Sequence, residues 1–208
     1  DTRQTRKLMN KYEISNNLMC FNKHNSLEKI PRIIDDLKAG NSIALVSDSG
    51  MPSICDPGED LIKDARINKI DVICIPGPCA AITALVSSGL PSSGFIFMGF
   101  LPKNNIQRMR LISEISKNEK TTILFEAPHR LKKLLIELKN CCGGDKEILV
   151  FRELTKKYEE QIGTTVNMVL SFFENKEVRG EITIVIKGAK KIKDEEINEF
   201  LLKKDLKE

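Results

Sequence analysis

Tryptophan is absent from this chain of 208 residues, which also has only two tyrosines and two histidines. Together with nine phenylalanines, the aromatic residues make up only 5% of the chain, which disfavours a binding platform on which many unpaired nucleic-acid bases stack. Long apolar runs are missing too: no segment reaches the roughly 18 consecutive apolar residues of a membrane span, and the first residues lack the apolar core of a signal peptide. We therefore expect a soluble, cytoplasmic protein that does not contact a membrane.

Cysteine spacing and net charge restrict the function only weakly. The six cysteines form no C-x-x-C pair, a pattern typical of small core residues in a reducing compartment, and we predict no metal site. Lys and Arg number 33 and Asp and Glu 29, which gives a net charge of +4. This mild excess permits nucleic-acid binding without requiring it.

The first 91 residues alternate between helical and strand patterns. The predicted strands are 18–21, 43–46 and 72–75, and the predicted helices are the opening segment, 27–37, 57–69 and 79–88. Each predicted strand is a short continuous apolar run, which is typical of strands buried on both faces of a parallel sheet. The alternation predicts a first α/β domain over 1–91 with parallel strands joined by right-handed crossovers.

Gly, Pro and Ser crowd together at 89–94, which predicts a domain boundary. Beyond it the predicted strands are 95–100, 121–125, 147–152, 158–164 and 181–186, and the predicted helices are 104–117, 129–141 and 166–175. Their uneven alternation predicts a second domain over 92–190 with a mixed sheet. The Lys- and Glu-rich residues 191–208 are predicted to form a charged terminal helix or tail.

Two loops of the first domain are the best candidates for a ligand site. Ser47–Pro52 and Pro76–Pro78 each follow a predicted parallel strand, and open α/β sheets bind ligands at the carboxyl ends of such strands. Gly50 and Gly77 allow close approach of the backbone to a ligand, while the prolines stiffen both loops. The pattern favours a compact polar ligand, although tight turns without a ligand account for these residues equally well.

Six motifs, in order along the chain, resemble those of a known family. They are Val46–Pro52 (VSDSGMP), Cys55–Gly58 (CDPG), Ile75–Leu85 (IPGPCAAITAL), Gly99–Lys103 (GFLPK), Phe125–Arg130 (FEAPHR) and Arg152–Lys156 (RELTK). Together they resemble the ribosomal RNA small-subunit methyltransferase I family of the tetrapyrrole methylase superfamily. The resemblance covers nearly all of residues 1–190.

The resemblance implies an α/β fold of two domains of the tetrapyrrole-methylase type, the class III methyltransferases, with S-adenosyl-L-methionine bound between the domains and a homodimer as the assembly. It implies 2′-O-methylation of a cytidine ribose in small-subunit ribosomal RNA. The residues that it implies for binding the methyl donor are Asp48, Gly50, Met51, Pro76, Gly77, Cys79, Ala80, Leu154 and Ile182.

The chain departs from the family pattern at its ends and in one loop. Family members begin with a strand and a loop of the type G-N-L-G-D, so we expect the first strand and one wall of the donor site to be absent here. Family members also continue past the position of Lys191 with a longer basic segment. Ser49 and Met51 replace the usual Ala and Thr, which leaves the role of the loop's backbone intact.

Methyl transfer from a sulfonium is an in-line displacement that depends mainly on positioning. Because a ribose hydroxyl is a poor nucleophile, a base or a cation that eases its loss of a proton would help. The candidates for this catalytic role are Glu126, Arg130, Arg152, Glu153 and Lys156. Structural ion pairs explain these residues equally well.

Polar and basic residues at two places are candidate contacts with RNA phosphates. They are Thr2, Arg3 and Arg6 at the start of the chain, and Lys103 and Arg108, which form a basic cluster with Arg110. Solvation of a chain terminus and of a helix face are the alternatives. Two other functions also stay open: a methyltransferase acting on a tetrapyrrole or another small molecule, and a non-catalytic nucleotide-binding module.

Overall fold

The computed structural model describes residues 2–190, which form two compact units on either side of the Cys79–Ala80 bond. The domain boundary predicted from the sequence lies at residue 91 instead. The difference arises from the helix Ala80–Ser88, which packs on the sheet of the second unit. The terminal helix or tail predicted for 191–208 lies outside the described residues.

The first unit contains three helices, α1 (Thr2–Lys11), α2 (Ser26–Lys38) and α3 (Glu59–Ile67). Helices α2 and α3 pack together through Ile30, Ile33, Ile34, Leu61 and Ala65. Ile33 and Ile34 follow Ile30 by three and four positions, and Ala65 follows Leu61 by four, so the residues of each helix share one face. Helix α1 has no buried residue.

The three strands predicted for the first unit are not formed within its described residues. The segments 18–21, 43–46 and 72–75 belong to no helix or strand, and several of their apolar side chains are exposed, with Ile73 at 82% and Ile75 at 79%. A strand requires a hydrogen-bonded neighbour as well as an apolar sequence. The structure thus differs from the predicted parallel sheet of this unit.

The second unit confirms the predicted mixed sheet. Its strands are β1 (Phe95–Phe100), β2 (Thr121–Glu126), β3 (Glu147–Arg152), β4 (Glu160–Thr165) and β5 (Ile182–Ile186), in the spatial order β1-β2-β5-β3-β4. Strands β1 and β2 are parallel, and the other neighbours are antiparallel. Strand β5, the last along the chain, lies in the middle of the sheet, where all of its residues are buried.

Helices cover both faces of this sheet. The helices of the second unit are α4 (Ala80–Ser88), α5 (Asn105–Lys117), α6 (Pro128–Cys142) and α7 (Val166–Phe173). Helices α5, α6 and α7 share one apolar core with the strands, in which Leu131, Leu134, Leu135 and Leu138 of α6 are completely buried. Each such leucine stabilises the fold by about 1.5–3 kcal/mol relative to an exposed one. Helix α4 packs against β2 and β5.

None of the helices in residues 2–190 combines the length and the apolar character that a bilayer span requires.

Candidate functional site

The two glycine- and proline-rich loops of the first unit lie against each other. A Cβ atom placed on Gly50 would lie 3.4 Å from the carbonyl oxygen of Pro78, and the φ of Gly50 is +72°, in the left-handed region that favours glycine. The loop that carries Asp48 and Met51 therefore contacts the segment that carries Pro76. The structure thus brings together these predicted donor-binding residues of the first unit.

The first of these loops has a tight backbone conformation over residues 47–58. The side chain of Ser47 hydrogen-bonds the carboxylate of Asp56, and Ser53 and Cys55 have φ values of +68° and +60°. A Cβ on the buried Gly58 would lie only 2.1 Å from Ser53 Oγ. Because non-glycine residues rarely adopt positive φ, the surrounding contacts must stabilise this conformation.

Gly77 differs from Gly50 and Gly58, because a Cβ placed on it would meet nothing within 4 Å. The described fold therefore has room for a side chain at this position, and packing alone does not explain the glycine. The next donor-site candidates are Cys79, which is half-buried, and Ala80, which begins α4.

The predicted catalytic motifs of the second unit converge at one edge of its sheet. Strands β1, β2 and β3 end at this edge, and the antiparallel strand β5 begins there. Glu126 at the end of β2 pairs with Ile182, which pairs in turn with Arg152 at the end of β3. Glu126 and Arg152 are thus two strand spacings apart, about 10 Å between their Cα atoms.

Glu126 is the centre of a buried network of charges. Its carboxylate accepts a hydrogen bond from Nη2 of Arg108 at 3.0 Å and from the backbone N–H of Ala127 at 2.9 Å. Nε of Arg130 lies 3.3 Å from the same carboxylate, and Nε of Arg108 donates to Glu137 at 2.6 Å. The ion-pair interpretation of Glu126 and Arg130 therefore has direct geometric support.

The position of Arg108 corrects the sequence interpretation. The sequence predicts that Arg108 belongs to a basic surface cluster with Lys103 and Arg110, but only 1% of Arg108 is exposed. Its guanidinium pairs with two carboxylates inside the unit, and Nη1 is buried without a hydrogen-bond partner among residues 2–190. A contact with RNA phosphate needs an accessible cation, so Lys103, which is exposed, is the remaining predicted contact of the two.

The other charged cluster follows β3. Nε of Arg152 lies 2.7 Å from the carboxylate of Glu160, and this hydrogen bond raises the pKa of Arg152. The carboxylate of Glu153 accepts hydrogen bonds from the backbone N–H of Glu181 at 2.8 Å and from Lys156 at 3.0 Å, and these lower its pKa. Burial opposes the charge of Lys156, but its hydrogen bonds to Glu181 and Glu153 raise its pKa overall.

The backbone of this second cluster is strained around Leu154, a predicted donor contact. Glu153 and Thr155 on either side of it have φ values of +51° and +67°. The backbone N–H of Thr155 donates to Glu159 at 2.7 Å, which helps to hold this turn. The side chain of Ile182, the other donor candidate of this unit, is only 3% exposed and belongs to the apolar core.

The acidic partners Glu137, Glu160 and Glu181 were not predicted from the sequence. Glu160 pairs with Arg152 across β3 and β4, so a correct strand register would have found it. Glu137 and Glu181 become neighbours of the motifs only through helix packing and strand pairing. The predicted RNA contacts at the start of the chain, Thr2, Arg3 and Arg6, lie on α1, where both arginines are exposed.

The sequence of this chain is similar to those of known methylases. Residues 5–169 match the family model described as Tetrapyrrole (Corrin/Porphyrin) Methylases. The chain is 41% identical to ribosomal RNA small subunit methyltransferase I of Halalkalibacterium halodurans, over 95% of this chain and 68% of that protein. It is 42% identical to the proteins of that name from Bacillus subtilis, over 96% of this chain and 67% of the relative, and Thermotoga maritima, over 90% and 84%.

This chain belongs to the ribosomal RNA small subunit methyltransferase I family of the tetrapyrrole methylases. It spans about two thirds of the length of the first two of these relatives.

Solved structures of more distant tetrapyrrole methylases share the fold of this family member. The methyltransferase CobJ is 14% identical with a TM-score of 0.58, over 86% of this chain and 77% of that one. Cobalt precorrin-4 methyltransferase CbiF is 17% identical with a TM-score of 0.57, over 77% and 70%. Uroporphyrin-III C-methyltransferase of Thermus thermophilus, complexed with S-adenosyl homocysteine, is 13% identical with a TM-score of 0.53, over 77% and 73%.

Proposed function

We propose that this protein transfers a methyl group from S-adenosyl-L-methionine to the 2′-hydroxyl of a cytidine ribose in small-subunit ribosomal RNA. The observation that carries the proposal is the contact between the Gly50 loop and Pro78, in a chain about 40% identical to relatives named for ribosomal RNA methylation. Two side-chain-poor loops in contact offer backbone groups to a cofactor.

The donor is proposed to bind along these loops of the first unit. Asp48, Gly50, Met51, Pro76, Gly77 and Cys79 are the proposed contacts, with Ala80, Leu154 and Ile182 from the second unit. The space beside Gly77 supports this assignment. For Ile182 the contact would involve its backbone, because its side chain belongs to the core.

In the reaction the ribose oxygen would attack the methyl carbon, the carbon–sulfur bond would break with its electrons staying on sulfur, and the hydroxyl proton would pass to solvent water. Arg152 and Lys156 are positively charged at neutral pH, and their hydrogen bonds to carboxylates raise the pKa of each further. Such cations stabilise negative charge that develops on the ribose oxygen. The lowered pKa of Glu153 makes its carboxylate a weak proton acceptor.

Exposed cations are the proposed RNA contacts, namely Arg3 and Arg6 on α1 and Lys103 after β1. We also propose that the active protein is a homodimer in the cytoplasm. The similarity to enzymes that methylate tetrapyrroles concerns the fold. A shared fold does not imply that this chain acts on the same substrates.

The test is methyl transfer from labelled S-adenosyl-L-methionine to small ribosomal subunits from cells that lack this protein. We expect label on the subunit RNA and 2′-O-methylcytidine after nuclease digestion. Subunits from wild-type cells are the matched control, because their site is already methylated and should take up little label. Label on a base instead of a ribose, or only on uroporphyrinogen offered in parallel, would contradict the proposal.

A further inference from the structure

We propose that Arg130 is a positioning residue, not a catalytic one, and that it holds the turn after β1 so that Lys103 is presented to an RNA phosphate. The inference rests on the proposed function for the identity of the RNA.

Arg130 links the start of α6 to the turn that follows β1. Its Nη2 donates hydrogen bonds to the backbone carbonyl oxygens of Leu101 at 2.9 Å and Pro102 at 3.2 Å. Its Nε lies 3.3 Å from Glu126, whose carboxylate is completely buried. One planar guanidinium thus joins three acceptors, which an ammonium group cannot do with the same geometry.

The turn held by Arg130 carries Lys103 at its exposed end. Leu101 is buried as its anchor, Lys103 is exposed, and the side chain of Asn104 caps α5 by accepting from the backbone N–H groups of Ile106 and Gln107. The position of Lys103 is therefore fixed on both sides, by the bonds of Arg130 before it and by the helix cap after it.

The buried charges near the turn balance one another. Arg108 and Arg130 oppose Glu126 and Glu137, and all four side chains are at most 18% exposed. The carboxylates of the network are therefore already paired and shielded, and they do little to weaken the field of Lys103 at the surface. An exposed, pre-positioned cation at the carboxyl edge of parallel strands suits a phosphate of the RNA backbone.

The test compares Lys103→Ala, Arg130→Lys and the double variant in the full chain. Binding of deproteinised small-subunit ribosomal RNA is measured between 50 and 200 mM salt, a range that strongly affects phosphate contacts. Because affinity falls as salt rises, the plot of log K against log salt has a negative slope, and Lys103→Ala should make this slope less steep by about 1. Arg130→Lys should make the slope less steep by a similar amount, although the charge at position 130 is unchanged. The double variant should have the same slope as each single variant, because both substitutions act through the same contact of Lys103 with RNA phosphate.

Lys139→Ala is the control, since Lys139 is exposed towards the other end of α6 and its loss should leave the slope as in the wild type. Additive effects in the double variant, or a wild-type slope for Arg130→Lys, would overturn the inference. If Arg130→Lys does not fold, Pro102→Gly, which loosens the same turn without any change of charge, replaces it with the same expected slope, and a wild-type slope for this variant would likewise overturn the inference. A chain that binds RNA with these slopes but transfers no methyl group would contradict the proposed function alone.

Discussion

At Gly77, an added side chain is expected to have little effect on stability but to weaken binding of the proposed ligand. A Cβ there meets nothing within 4 Å, so Gly77→Ala should change the free energy of unfolding by less than about 0.5 kcal/mol. If the donor approaches this backbone, the methyl group should weaken binding of S-adenosylhomocysteine, measured by calorimetry. Wild-type affinity for the variant would remove Gly77 from the donor site.

Gly58→Ala is the matched comparison in the same unit. Its Cβ would lie 2.1 Å from Ser53 Oγ, so the loop must shift, at a cost of about 1–3 kcal/mol. Urea denaturation should show the loss directly. Equal stability of the two alanine variants would mean that this loop is loosely packed.

Gly180 supports the turn that carries Glu153. Its φ is +85°, and a Cβ on it would lie 2.6 Å from Cγ of Glu153. Gly143 at the end of α6 has a similar φ of +86° with nothing near its Cβ. Gly143→Ala should therefore cost about 1–3 kcal/mol from the backbone alone, and Gly180→Ala distinctly more because of the added clash. Chemical denaturation of both variants separates the two effects.

The hydrogen bonds of Glu153 also predict how stability depends on pH. Because backbone N–H of Glu181 and the ammonium of Lys156 hold the pKa of Glu153 below its ordinary value of about 4.3, the unfolded state binds its proton first. The stabilisation is therefore complete above about pH 4.3 and is lost as the pH falls through the folded pKa.

Glu153→Gln should flatten the dependence of the free energy of unfolding on pH in this acidic range. Lys156→Met should flatten it partly, because one of the groups that lower the pKa is gone. The measurement is a series of denaturation curves at acidic pH. A Gln variant whose curve runs parallel to that of the wild type would show that Glu153 does not contribute.

At the scale of elements, the contact of α5 and α6 with the end of β2 depends on the buried charges of Arg108. Arg108→Ala leaves Glu126 and Glu137 buried without their shared partner, which typically costs about 3–5 kcal/mol. Arg110, two residues along α5, pairs with Glu114 in solvent, with 82% and 52% of their side chains exposed. Arg110→Ala should cost less than about 0.5 kcal/mol, and thermal unfolding of the two variants makes the comparison.

The elements of the second unit could be predicted closely from the sequence. Strands β1 and β3 have the predicted bounds, and α5, α6 and α7 lie within about two residues of theirs. These segments have unbroken apolar patterns and clear turn residues, and each pattern matches the local environment that the fold supplies.

Other features depended on partners that are distant in the sequence. The apolar runs at 43–46 and 72–75 have the composition of buried strands, but pairing decides whether a strand forms. Arg108 has the sequence context of a solvated helix face, and only the packing of α5 against α6 and β2 places it in the interior. The residues of the candidate site could be predicted from sequence motifs, whereas the ion pairs that stabilise their positions could not.

For the whole molecule, we expect the two units to respond differently to the cofactor. Without ligand, amides of the central strands β2, β3 and β5 should exchange with solvent only on global unfolding, whereas those in 43–50 and 72–78 should exchange faster. Saturating S-adenosylhomocysteine should slow exchange in these two segments of the first unit. Hydrogen exchange followed by mass spectrometry tests this, and unchanged exchange in both segments would contradict donor binding there.

The central position of β5 has a consequence for biosynthesis. A chain emerging from the ribosome exposes β1 to β4 before the strand that separates β2 from β3 has been synthesised. Until then the inner edges of two half-sheets are open, and such edges invite wrong pairing or aggregation. Nascent chains of this protein should therefore depend on chaperone protection until β5 has left the ribosome and can pair with β2 and β3.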